Sequence, residues 1–554
     1  MRLTGGQALA HQLVREGITD VFGIPGVQLD WAVDGLRQVG NRIRYVVPRH
    51  EQTTAYMADG FSRSTGKIGT CMVVPGPGLL NAMAGLATAY ACNSRVLAIV
   101  GNIHSGGIGK GWGLLHEVRN QSEILGTVTK WQAQARTPQE IPGIIREAVR
   151  QLHGGRPQPV GVEIAFDVLS ASGEIDLAEP PPGEDGRVRP DAAAIEQAAA
   201  LLAQAKLPVI YVGGGALAAH ASAALAALAE KLQAPVVISE NGRGALSDRH
   251  PLALTALAGR AVFAHADVAL IVGSRFADTQ SGAPSWSGDT LKYVWLNIDA
   301  QAWAPPRHAD VAIEADAALG LEALAAALPS ARPSRDLDLD LAKARAWADA
   351  LLQQNVPDLM GWIRALRSAL PDDGIFVNEL TQVGYQTRSG FPVYSPGTYI
   401  TPGYQGTLGY GFPTALGAAY GNPERAVICI TGDGGFGWGL SELATVGKYG
   451  LKPAVVVFND GHFGNVRRTQ VEDFGGVFGT DLHNPHFDRL ASAFDVGYAR
   501  VDTPDELEKV LKRSLGAAPI LVEARVGDLS SPWPYIRLRG GKPSDAPPDP
   551  RRQS

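Results

Sequence analysis

Cysteine is scarce in this chain: three in 554 residues, at Cys71, Cys92 and Cys429. Thiols so few and so scattered exclude a disulfide framework and a cysteine-based zinc site, and read as small buried hydrophobes in a reducing compartment. Long apolar runs are missing too. No stretch reaches the roughly 18 consecutive apolar residues of a membrane span, and the opening Met1-Arg2-Leu3-Thr4-Gly5-Gly6 has no signal-peptide core. Nor is there a Lys/Arg-rich stripe. Basic residues number 49 against 55 acidic ones, a net charge of −6 that argues against a general nucleic-acid binder. What remains is the expectation of a cytoplasmic globular enzyme, with neither membrane nor nucleic acid among its partners.

An apolar content of 45% and a charged content of 19% suit a folded chain, and 554 residues are too many for one hydrophobic core. Two segments interrupt the alternation of apolar strands and Ala-rich or amphipathic helices. One is Glu179-Pro180-Pro181-Pro182-Gly183-Glu184-Asp185-Gly186; the other runs from Pro329 to Asp340, with repeated Asp-Leu pairs. Cutting there predicts three doubly wound, parallel-sheet α/β domains over residues 1–170, 190–328 and 345–545. Weak internal symmetry predicts a shared plan for the first and third. The Pro-rich tail Lys542–Ser554 is expected to be disordered.

The strongest chemical signal runs from Gly432 to Gly464. Ala426–Ile430 and Ala454–Phe458 read as buried strands, and Leu440–Tyr449 between them as a helix closed by Gly450. A parallel βαβ unit follows, so both strand ends share the sheet edge at which open α/β folds bind ligands. The first strand ends in Gly432-Asp433-Gly434-Gly435 and the second in Asn459-Asp460-Gly461-His462. Either acidic turn alone is ordinary. Together, two carboxylates beside glycine-rich turns suit Mg²⁺ and a diphosphate. In the middle domain, the strand Pro208–Val212 runs into Gly213-Gly214-Gly215, but Ala218 stands where a dinucleotide motif needs its third glycine. That turn reads as structural.

The Gly432–Gly464 pattern resembles the signature of the thiamine diphosphate enzymes, a GDG, a helix-length spacer and an Asn-Asn pair, here Asn459-Asp460. The resemblance implies that Asp433, Asp460 and the carbonyl of His462 hold Mg²⁺, with Gly432, Gly434 and Gly435 at the diphosphate. The first domain is similar to the same family through Pro25-Gly26, Arg49-His50-Glu51-Gln52 and Pro75-Gly76-Pro77-Gly78 with Asn81. Glu51 is implied as the catalytic acid that shares a proton with the cofactor's aminopyrimidine and so generates the ylid. Pro25, Gly26 and Asn81 are implied to border that ring. In the third domain, Gly406-Thr407-Leu408-Gly409 matches the segment under the cofactor, with the Gly406 carbonyl accepting from the amino group and Leu408 wedged between the rings. Members build each site from two subunits, which implies a homodimer or a tetramer of such dimers.

The nearest resemblance is to the acetohydroxyacid synthase large subunit. It implies a carboligase that adds its ylid to a 2-keto acid, releases CO₂ and captures a second carbonyl. The alternatives are a 2-keto acid decarboxylase or C–C lyase, and a non-catalytic cofactor-binding homologue; the intact Glu51 argues against the last. Departures bear on the choice. His116 replaces the synthases' Gln, and is either a general acid/base or a structural histidine; Thr469 replaces their Trp. Lys130 and Arg275 match their basic positions, and Arg467 and Arg468 either reach a substrate carboxylate or phosphate or simply solvate a loop. The stretch that reads RFDDR in members holding FAD is Arg275-Phe276-Ala277-Asp278-Thr279 here; a lost Arg and Asp count against FAD.

Overall fold

Alternate residues of each strand face opposite layers, and both layers are apolar. In the first domain Cys71, Val73, Ala98 and Val100 face one core, while Met72, Leu97 and Ile99 face another. Burial on both faces is what a parallel sheet covered by helices requires. The computed structural model describes residues 1–179, 186–277, 286, 290–329 and 341–536. Three six-stranded sheets, all paired in parallel, carry the fold. Most of both interrupting segments (180–185 and 330–340) and the tail 542–554 lie outside the described residues.

The first sheet runs Arg44–Val46, Asp20–Gly23, Gly69–Val73, Val96–Asn102, Val160–Ala165, Trp131–Ala135. The third runs Tyr399–Ile400, Ile375–Asn378, Val427–Gly432, Ala454–Asn459, Ile520–Arg525, Gly497–Val501. Counted along the chain, both have the order 2-1-3-4-6-5, with a switch point beside the first strand. The central sheet has the order 3-2-1-4-5-6 and its switch point between Pro208–Val212 and Val268–Val272. One feature has no counterpart in the sequence reading: Arg2–Thr4 pairs antiparallel with Ser172–Glu174, tying the two ends of the first domain together.

The first and third domains pack within one chain through the helices Glu51–Thr65 and Gly411–Gly421. The His50 ring caps the start of the former by accepting from the Gln52 amide, and Gly66, at φ 76°, ends it in the left-handed conformation. The two helices touch backbone to backbone. A Cβ on Gly60 would stand 2.1 Å from the Thr414 carbonyl oxygen, and one on Gly417 would stand 2.1 Å from that of Met57. The contact is thus reciprocal, glycine against the carbonyl three residues before the other glycine. Nine positions before these glycines stand Glu51 and Leu408.

Candidate active site

Two adjacent strands of the third sheet end in the acidic turns. Val427–Gly432 and Ala454–Asn459 lie side by side, with Gly432 paired to Phe458. Asp433 opens a single helical turn, Asp433–Phe436, and its side chain is 4% exposed. One of its carboxylate oxygens accepts from the Gly461 amide at 3.0 Å, so the turn after the second strand reaches back to the first. Asp460 accepts from the His462 amide at 3.0 Å, and the His462 ring stands 3.0 Å from Asp481. Burial pushes the Asp433 carboxyl up, and the Asp460 charge adds to the effect; burial likewise pushes Asp460 up. One buried and one half-buried carboxylate, each raised by desolvation, are a donor set that a divalent cation relieves.

The glycines there are packing requirements. A Cβ on Gly434 would lie 2.6 Å from the Phe463 ring, and one on Gly435 2.0 Å from the Glu379 carboxylate. Gly432 has its nearest neighbour at 3.6 Å and leaves that side open. Gly406, at φ 58°, carries the turn to Leu408, whose side chain remains 44% exposed. The turn rests on Leu380 and, through Gly409, on Trp438.

On the first sheet's edge, Gly26 packs on Val74, while Pro25 is exposed. Glu51 is half-buried and accepts from the Asn81 side chain at 3.0 Å. His116, at φ 69°, is one of seven non-glycine residues with positive φ among the described residues. Its Nδ1 lies 3.1 Å from Gln28 Oε1, and its carbonyl presses on Gly76, where a Cβ would be 2.3 Å away. The edges meet in the chain at Gln52, which donates to the Trp438 carbonyl. Among the described residues, no hydrogen bond of Glu51 reaches Asp433 or Asp460.

Three supporting roles in this arrangement escape a sequence reading. Asn484 donates to Asp433 at 2.6 Å and to Asn459 at 3.0 Å. Asn459 in turn donates to Glu523, which makes it a brace of the sheet beside Asp460. Glu442, fully buried, accepts from the amides of Arg49 and His50 and so fixes the approach to Glu51 from the third domain. No local motif marks any of them, since each partner is distant in the chain.

Family models match three parts of the chain: the thiamine pyrophosphate enzyme N-terminal TPP binding domain over residues 3–124, the central domain over 195–324, and the C-terminal TPP binding domain over 381–524. The chain belongs to the thiamine pyrophosphate enzyme family. It is 36% identical to a probable 2-ketoarginine decarboxylase of Pseudomonas aeruginosa, over 94% of each chain. It is 32% identical to an acetolactate synthase of Arthrospira platensis, over 97% of this chain and 96% of that one. Identity to the acetolactate synthase isozyme 1 large subunit of Escherichia coli is 29%, over 97% and 96%. Like these relatives, this thiamine pyrophosphate enzyme is a carboligase or decarboxylase.

Several basic residues open to a substrate role are otherwise engaged. The Lys130 amine donates to the carbonyls of Gly154 and Arg156, both at 2.7 Å, and burial lowers it to about 8. Arg467 pairs with Asp481 at 2.9 Å, and Arg468 donates to Gln382 and to the Leu529 carbonyl. These contacts tie the helix Gly464–Phe474 to its neighbours. Arg275 stacks its guanidinium 5.0 Å over the Tyr404 ring, at a cavity of about 840 Å³ beside the central switch point. The glycines there serve packing, as the sequence suggests: a Cβ on Gly213 would be 2.5 Å from the Gly273 carbonyl oxygen. Of the stretch compared with the FAD motif, Asp278 and Thr279 lie outside the described residues. Among those residues, no helix is long and apolar enough to cross a membrane.

Proposed function

We propose that this protein is a Mg²⁺-dependent thiamine diphosphate decarboxylase of 2-keto acids, with His116 as the proton donor that completes release of an aldehyde. In this reading Asp433, Asp460 and the His462 carbonyl hold Mg²⁺, and Gly432, Gly434 and Gly435 face the diphosphate. Gly406 and Leu408 seat the rings. Pro25, Gly26, Asn81 and Glu51 serve the pyrimidine. Bound there, the cofactor supplies a carbon nucleophile and a sink for the electron pair left when CO₂ departs. Glu51 holds and returns a proton, and the Asn81 hydrogen bond keeps its carboxylate in one orientation. Gln28 Oε1 accepts from His116 Nδ1, so the proton delivered to the substrate carbon is the one that Nε2 carries in the imidazolium form.

The observation that carries the choice is His116, a half-buried residue whose backbone carbonyl packs on the Gly76 turn and whose imidazole is held by Gln28, at the same sheet edge as Glu51. The name of the Pseudomonas relative agrees with decarboxylation and suggests a 2-keto acid with a cationic chain. Carboligation is the second reading, supported by similarity to acetolactate synthases along nearly the whole chain. Incubating the protein with thiamine diphosphate, Mg²⁺ and a panel including pyruvate and 2-ketoarginine tests both. Aldehyde as the product supports the first reading, acetolactate or another ligation product the second, and no turnover of any 2-keto acid overturns both.

We also infer assembly with a second copy. The helix Gly464–Phe474 buries none of its residues, Phe474 and Phe478 are 80% and 90% exposed, and Trp112 on the first domain is 65% exposed. Apolar surface of this kind beside a candidate site calls for a covering partner. Light scattering should give at least twice the monomer mass; a monomer at micromolar concentration would overturn this.

A further inference from the structure

Directly after the first strand of the third sheet stands Glu379, fully buried, with no role in the function just described. Its two oxygens accept from the backbone amides of Gly409 at 2.8 Å and Gly411 at 2.9 Å. The same carboxylate fills the space beside Gly435 and Gly411, where a Cβ would lie 2.0 and 2.7 Å from its oxygens. It therefore touches both the turn that presents Gly406 and Leu408 and the turn that presents Asp433. Its neighbours extend the pattern. A Cβ on Gly406 would lie 3.0 Å from the Leu380 side chain, and Gln382 reaches Asp460 at 3.4 Å. Burial pushes the Glu379 carboxyl up, while the two amides and the Thr431 hydroxyl favour its charged form. A buried carboxylate without a cation is costly to keep, and here it is kept where two functional turns meet.

We propose that Glu379 is a positioning residue that locks the Gly406–Gly411 turn to the Gly432–Gly435 turn, fixing the Gly406 carbonyl and Leu408 relative to Asp433. The catalytic part of this proposal rests on the thiamine diphosphate reading of those turns; the mechanical part does not. Two variants test it. Glu379→Gln keeps the shape but turns one acceptor into a donor facing an amide, and Thr431→Val removes a flanking hydroxyl while leaving the carboxylate.

In the apo-protein, hydrogen–deuterium exchange of a peptide spanning 404–412 should quicken about tenfold or more in Glu379→Gln, the worth of a buried charge-assisted hydrogen bond. The central sheet should be unchanged. With thiamine diphosphate and Mg²⁺, cofactor affinity should stay within about threefold while hydrogen exchange at the bound cofactor's reactive carbon slows about tenfold. Thr431→Val should show both effects, smaller. Unchanged exchange of the 404–412 peptide in both variants overturns the lock. Faster peptide exchange with unchanged cofactor exchange overturns the positioning role and leaves a structural one. Should Glu379→Gln fail to fold, Thr431→Val decides by the same criteria. Absence of cofactor binding by the wild-type protein would contradict the proposed function, and the apo measurement would still judge the lock.

Discussion

At the end of its third strand the first sheet carries Val74-Pro75-Gly76; at the matching place the third sheet carries Gly432-Asp433-Gly434. Strand register makes the correspondence residue by residue. Val100 pairs with Glu163 as Val457 pairs with Glu523, so Asn102 matches Asn459 and Ile103 matches Asp460. The braces are common to both: Asn102 donates to Glu163 at 3.0 Å and Asn459 to Glu523 at 2.8 Å. The acids are not. Pro75 and Ile103 stand where Asp433 and Asp460 stand, and the first edge offers Glu51 and His116 instead. Two sheets of one plan thus divide the chemistry, one edge suited to metal and diphosphate and the other to proton transfer.

The largest effect expected from breaking that division is at Asp433. Asp433→Ala should weaken Mg²⁺-dependent binding of thiamine diphosphate by about 100-fold or more in calorimetric titration, since one of the two carboxylates proposed to hold the metal goes. Glu51→Gln, on the other edge, should leave that affinity within about threefold yet lower turnover by about 10²–10⁴, the usual worth of a placed acid. If Glu51→Gln weakens binding as strongly as Asp433→Ala, the division of labour is wrong.

The reciprocal helix contact makes a sharper demand. Gly60→Ala and Gly417→Ala each drive a Cβ into a carbonyl oxygen at the same 2.1 Å, so both should cost about 1–3 kcal/mol, by similar amounts, in urea unfolding. The smallest expected effects belong to the braces. Asn102→Leu and Asn459→Leu should each cost about 1–2 kcal/mol of stability. Only the latter should also weaken Mg²⁺ binding, because Asn459 shares Asn484 with Asp433.

Much of the C-terminal edge was legible in the chain because its signals are local. Apolar runs ending in Gly-Asp-Gly and Asn-Asp-Gly give strands, turns and acids together, and the structure pairs those strands side by side. Asn459 was visible as the first residue of the Asn459-Asp460 pair, but its bracing of Glu523 was not. Glu379, Glu442 and Asn484 were not legible, since each acts on partners 25 to several hundred residues away, and a buried carboxylate among glycines has no periodicity. The choice between a substrate role and a structural one for Arg467 and Arg468 was not legible for the same reason. Their charge is visible in the sequence and their partners Asp481 and Gln382 are not. The matching plan of the two outer sheets showed only faintly, because the residues kept in common are braces and packing glycines, while the functional positions have diverged.

The central claim is a metal-dependent thiamine diphosphate site built on Asp433 and Asp460. Calorimetric titration of the wild-type protein with thiamine diphosphate, once in Mg²⁺ and once in excess EDTA, tests it most directly. The account predicts one cofactor bound per chain in Mg²⁺ and binding lost in EDTA; equal binding in both, or none in either, would contradict it.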